Sequence, residues 1–222
     1  MTGPRVLVVA KAPVPGRAKT RLGAVVGDEA AAHLAHAALL DTLDVCVTAF
    51  PAGRRHLALD GDPGEAARPD ELADALATWQ VRPQVGGDLG ARLAAAHADL
   101  DGPDAVVQLG MDTPQVTSDD LAAVLSGLAG HDALLGPAED GGWWVLAMQR
   151  SAEAAVLRDV EMSTAHAERD TAEALRGRGL AVATGAMLRD VDTVDDAVAV
   201  AALAPWTRFA RTWEQVAGST SS

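Results

Sequence analysis

Apolar residues recur along the chain in two alternating patterns: short unbroken runs, and longer stretches with helical spacing. Val6–Ala10 is a continuous aliphatic and β-branched run, which suits a first strand buried on both faces. Residues 28–43 follow, Ala-rich and free of Gly and Pro, which predicts a helix with Asp28 placed to cap it. Val45–Ala49, with Cys46 at its centre, and His56–Leu59 read as short strands separated by the turn Pro51-Ala52-Gly53.

The rhythm then repeats. Helices are expected over 69–79, 88–100 and 118–128, the last capped by Ser118, and strands over 81–85, 104–110, 132–136 and 143–148. Ser163-Thr164 opens a polar helix that stops at Gly177–Gly179, and a strand over 180–184 precedes two short helices, 194–203 and 206–216. Alternating strands and helices imply an α/β fold with an open, mainly parallel sheet and helices on both faces. Ligands in such sheets bind beyond the carboxyl ends of the strands. A length of 222 residues suits one domain, 1–216, with a flexible small-residue tail at 217–222.

A net charge of −13 argues against nucleic acid as a partner, so any phosphate site has to be local. No uninterrupted apolar run reaches the length of a membrane span and no signal-peptide pattern opens the chain, so a cytoplasmic protein is expected. The single cysteine, Cys46, excludes an internal disulfide and reads as a buried thiol.

Five segments carry candidate chemistry. Directly after the first strand, Lys11, Arg17, Lys19 and Arg21 place four cations in a loop stiffened by Pro13 and Pro15 and loosened at Gly16. Polyphosphate is the natural guest for such a cluster. Lys19 is expected to be an exposed phosphate ligand whose removal leaves stability nearly unchanged.

Asp112, in Gly110-Met111-Asp112-Thr113-Pro114 at the end of a strand, is placed to hold a divalent cation. Glu139-Asp140-Gly141-Gly142 precedes Trp143 and Trp144, offering acids beside a stacking wall, or equally a hairpin turn with aromatic core behind it. Gly86-Gly87-Asp88-Leu89-Gly90 is a Gly-rich helix entry with unpaired backbone N–H groups. Asp190-Val191-Asp192-Thr193 could bring a second carboxylate, or simply cap the next helix. There is no Gly-x-Ser-x-Gly and no Cys/His pairing, which leaves a covalent hydrolase mechanism without support.

Taken in order, Lys11-x-Pro13-x-x-Gly16-x-x-Lys19-Thr20-Arg21-Leu22, Gly86-Gly87-Asp88-Leu89-Gly90-x-Arg92, Gly110-x-Asp112-x-Pro114, Asp140-Gly141-Gly142 and Asp190-Val191-Asp192-Thr193 resemble a bacterial family of GT-A-like transferases. That family is related to the molybdopterin-guanine-dinucleotide and 2-phospholactate guanylyltransferase type. The resemblance implies a GT-A (nucleotide-diphospho-sugar transferase) fold. Its first loop would hold phosphates through Lys11, Pro13, Gly16, Arg17, Lys19 and Arg21, and Gly86–Gly90 would contact the nucleoside.

It further implies Mg²⁺ or Mn²⁺ on Asp112 with Asp192 or Asp140 as an acidic partner, and Lys19, Arg21, Asp112 and Asp140 as catalytic residues. The substrates would be a nucleoside triphosphate or nucleotide-sugar and a small-molecule acceptor. Nucleotidyl transfer to a phosphorylated acceptor is the leading expectation, ahead of glycosyl transfer and of nucleotide binding without turnover. The Gly-rich signature of the better-known nucleotidyltransferases is replaced here by Gly16-Arg17 and Lys19.

Overall fold

The computed structural model describes residues 3–220. Seven strands form one sheet in the order β3-β2-β1-β4-β6-β5-β7. These are β1 (Arg5–Lys11), β2 (Arg55–Asp60), β3 (Gln80–Pro83), β4 (Val106–Leu109), β5 (Ala133–Pro137), β6 (Trp143–Met148) and β7 (Val182–Thr184). β1 pairs in parallel with β2 and β4, and β6 runs antiparallel between β4 and β5. The central strands carry the aliphatic runs because both of their faces are covered: Val6, Val8, Val107, Leu109 and Val145 are all buried.

Helices α1 (Thr20–Val26), α2 (Asp28–Ala49), α3 (Pro69–Leu76), α4 (Leu89–Ala98), α5 (Ser118–Leu128), α6 (Ala167–Gly177), α7 (Val194–Leu203) and α8 (Arg208–Thr220) complete the chain. Packing of Leu39, Leu43 and Phe50 of α2 and its C-terminal cap with Leu121 and Val124 of α5 covers one face of the sheet. Leu93 of α4, Leu157 of the 3₁₀ segment Ser151–Asp159, and Leu175 of α6 cover the other. α2 is long and apolar enough by composition to span a membrane, but 67% of its most apolar window is buried inside the fold. It lies between the sheet and a further layer, where Leu34, Ala37 and Ala38 meet Val200 of α7 and Phe209 of α8.

Several sequence expectations are corrected. Residues 45–49 are not a strand but the end of α2. Their β-branched composition yields to tertiary context, because Leu39, Leu43, Cys46 and Phe50 continue one buried stripe at helical spacing. Cys46 is a buried thiol all the same, and burial pushes its pKa up to about 12. Asp28 is the first residue of α2 rather than its cap, which is Gly27 at φ 89°.

α5 is capped by Thr117 in a reciprocal box with Asp120, not by Ser118. The N-cap of α6 is His166, while Ser163 adopts φ 62°. Residues 217–220 extend α8 where a flexible tail was expected, and residues 221–222 lie outside the described part.

Candidate active site

Because β1 connects outward to β2 while β4 lies on its other side, the carboxyl ends of β1 and β4 flank a topological switch point, where open α/β sheets bind ligands. A cavity of about 490 Å³ lies there, of a size ordinary for a small-molecule site. Lys11, Arg17, Lys19, Arg21, Leu89, Asp112, Asp140 and Asp192 line it, so eight of the residues singled out by sequence converge.

The loop after β1 turns earlier than the sequence suggested. Thr20–Val26 form α1, so Arg21 rides on a helix and Lys19 sits at its N-cap in the left-handed region, φ 51°. That conformation aims the Lys19 side chain inward, where it is only 7% exposed. The expectation of an exposed Lys19 is therefore corrected. Its ammonium donates to Asp112 Oδ1 at 2.6 Å, to Asp192 Oδ1 at 3.1 Å and to the Val191 carbonyl. Burial pulls its pKa down, and the two carboxylates outweigh that and leave it above the ordinary lysine value.

Asp112 and Asp192 meet because their backbones are tied. Val191 N–H donates to the Asp112 carbonyl at 2.8 Å. Capping of α7 falls to Thr193 and Asp196, which leaves Asp190 and Asp192 free to face the cavity. Arg21 stands 3.5 Å from Asp192 Oδ2 and is exposed. At the rim, Arg17 pairs with Glu65 at 3.1 Å across solvent, an interaction weak enough to be exchanged for a phosphate.

Asp190 was not singled out as a site residue. Burial, then the charge of Asp140, then that of Asp192 raise its pKa to about 6. Its signal lay in the same Asp-x-Asp motif that pointed to Asp192. Glu139 turns away and pairs with Arg189 at 2.5 Å, leaving Asp140 as the acid of that turn that lines the cavity.

Pro13, Gly16, Gly86, Gly87, Asp88 and Gly90 do not line the cavity. Pro13 is buried, and its carbonyl accepts from Ala67 N–H at 2.9 Å. Gly16 bends the loop, at φ 73°, back towards Asp28. Asp88 caps α4 by accepting from Ala91 N–H at 2.8 Å. A Cβ on Gly90 would stand 2.2 Å from the Leu157 carbonyl, so this glycine serves the packing of α4 on the 3₁₀ segment. Gly141 has the same kind of role, 2.2 Å from the Ala165 carbonyl.

Within the cavity Trp143, Leu89, Leu93 and Val9, which belong to one apolar cluster, supply an uncharged part of the lining. Arg92, clamped to Asp60 at 2.9 Å, and Gln84, bonded to the carbonyls of Ala10 and Ala58, close the side towards β2 and β3.

Among the described residues no group of three or more His, Cys, Asp or Glu side chains gathers as a metal cluster. The two carboxylates and one carbonyl around Lys19 are nonetheless the hard oxygen donors that Mg²⁺ or Mn²⁺ prefers, and such ions take remaining ligands from water and phosphates.

A sheet of this order, with its polar cleft at the switch point, is the fold of the nucleotide-diphospho-sugar transferases, shared with nucleotidyltransferases. The chain belongs to the family described as uncharacterized protein conserved in bacteria (DUF2064), which matches residues 42–164. A crystal structure from Desulfovibrio desulfuricans G20, provisionally named a nucleotide-diphospho-sugar transferase, is 32% identical. It superposes with a TM-score of 0.73 over 88% of this chain and 85% of that one.

A cytidylyltransferase from Leptospira borgpetersenii serovar Hardjo-bovis shares the fold at TM-score 0.59 and 14% identity, with 100% and 96% covered. So does Rv0371c of Mycobacterium tuberculosis H37Rv in complex with manganese, at 0.53 and 18%, with 90% and 98% covered. No curated protein matches the sequence significantly.

Proposed function

We propose that this protein is a metal-dependent nucleotidyltransferase that joins a nucleoside monophosphate, taken from a nucleoside triphosphate, to a small phosphorylated acceptor. The observation that carries the reading is the meeting of Asp112, Asp192, Lys19 and Arg21 at the carboxyl end of β4, in a cavity rimmed by Lys11 and Arg17. Both lysines and three of the arginines of an acidic protein line this one ligand-sized cleft.

In this reading Lys11, Arg17 and Arg21 hold the triphosphate oxygens, and Trp143 with Leu89 and Leu93 shelters the uncharged part of a substrate. An oxygen of the acceptor phosphate attacks the α-phosphorus in line, the bond to the β-phosphate oxygen breaks, and pyrophosphate leaves. The attacking oxygen is already ionised at neutral pH, so no protein nucleophile is required, and catalysis is positioning plus charge stabilisation. Asp112 and Asp192 would hold Mg²⁺ or Mn²⁺, which when bound neutralises charge on the phosphates.

The test is pyrophosphate release from each of the four nucleoside triphosphates with Mg²⁺ and a panel of phosphorylated acceptors. Acceptor-dependent pyrophosphate is expected, with kcat/KM lowered at least about 100-fold in Asp112→Asn. Absence of pyrophosphate with every pair would end the proposal.

The provisional name of the D. desulfuricans relative favours a second reading, transfer of a sugar from a nucleotide-sugar. Asp190, with its pKa near 6 beside Asp140, would then be suited to accept a proton from an acceptor hydroxyl. Release of nucleoside diphosphate from sugar nucleotides selects this alternative.

A further inference from the structure

The chain contains two lysines, Lys11 and Lys19, and every other cationic side chain is an arginine. Both lysines line the cavity. An ammonium is a compact point charge with three donors, whereas a guanidinium is a planar fork. The three donors of Lys19 meet three oxygens, from Asp112, Asp192 and the Val191 main chain. Two anionic oxygens and a carbonyl around one small cation also form the donor set of a hard divalent ion.

Backbone strain marks the same place. Lys19 and Ser163 are the non-glycine residues with positive φ among those described, and both line this cavity. A left-handed lysine is strained and persists where its surroundings hold it. Here the two carboxylates hold it, so weakening their grip would free the side chain as well as relieve the backbone.

We propose that the Lys19 ammonium is the resident cation of a divalent-metal site made by Asp112, Asp192 and the Val191 carbonyl, and that lysine and metal exclude each other there. Metal enters only as Lys19 leaves, and the departing ammonium finds its next anion in the phosphates of the nucleotide beside it. Metal and nucleotide therefore bind together, and metal alone binds weakly. The inference rests on the metal-dependent reading above, and it assigns to Lys19 a part in the order of binding that a simple phosphate ligand lacks.

Two measurements test it with Mn²⁺ alone as the probe. In the native protein, acylation by acetic anhydride followed by mass spectrometry reports each lysine separately, with Lys11 as internal reference. Lys19 is expected to react slowly without metal and several-fold faster at saturating Mn²⁺. An unchanged Lys19 rate at saturation overturns the proposal.

In Lys19→Met, which keeps much of the apolar stem, Mn²⁺ affinity measured by electron paramagnetic resonance is expected to rise at least tenfold over the native protein. It should fall again in the double variant Lys19→Met/Asp112→Asn. Equal affinity in native protein and Lys19→Met, or no binding by either, overturns the proposal. The two readings fail separately: pyrophosphate release without Mn²⁺–Lys19 antagonism leaves the transferase standing, and antagonism without pyrophosphate leaves the cation site.

Discussion

His97 and Lys19 are both buried bases, and their surroundings drive them in opposite directions. Lys19 faces two carboxylates and stays charged, whereas His97 has only neutral partners, Gln108 Oε1 at 2.8 Å and Ser151 Oγ at 3.2 Å. Burial lowers its pKa to about 4, against the hydrogen bond that the ring donates to Gln108 Oε1, which raises it.

The unfolded chain therefore binds the extra proton between about pH 6.5 and 4, and the native state does not. Stability is full above that window and is lost as pH falls through it, by roughly 3 kcal/mol for a shift of this size. Denaturant melts at pH 7 and pH 4.5 should show this loss, and His97→Gln should flatten the dependence. An unchanged slope in the variant would place the acid sensitivity elsewhere. The buried Lys19 leads to a second expectation: Lys19→Ala should lower the melting temperature, because Asp112 and Asp192 then face each other without their counter-ion.

At the level of elements, the sequence was most legible where a single physical cause dominates. The aliphatic run of β1 and the alternation of strands and helices placed the sheet, and Lys11 and Asp112, read at strand ends, both line the cavity. It was least legible where distant contacts decide. Nothing local shows that Val45–Ala49 must be helical, because the reason is the stripe they complete against the core. The Gly-rich entry to α4 invited a ligand explanation, whereas Gly90 answers to the Leu157 carbonyl.

That difference can be measured. Gly90→Ala should cost at least about 2 kcal/mol, since the added carbon would overlap backbone that has to move. Gly87→Ala, with nothing within 4 Å of the new carbon, should stay within about 0.5 kcal/mol. Equal melting temperatures for the two variants would remove the packing explanation for Gly90.

For the molecule as a whole, a net charge of −13 surrounds a cleft whose lining holds five cationic side chains beside four aspartates, so a nucleotide approaching from solution meets repulsion before attraction. Salt screens the long-range part first. The association rate of a fluorescent nucleoside triphosphate at fixed Mg²⁺ should therefore rise between about 10 and 100 mM ionic strength, the reverse of electrostatic steering. A rate that falls over that range would show that the cleft governs the field outside it.

The bond between Lys19 and Asp192 spans 173 residues of sequence. During synthesis the cation cage cannot close until Asp192 has been made, long after the first strands can pair. A ribosome-bound fragment ending before that residue can own much of the sheet and still lack the cage, so a closed cage reports that synthesis has passed residue 192.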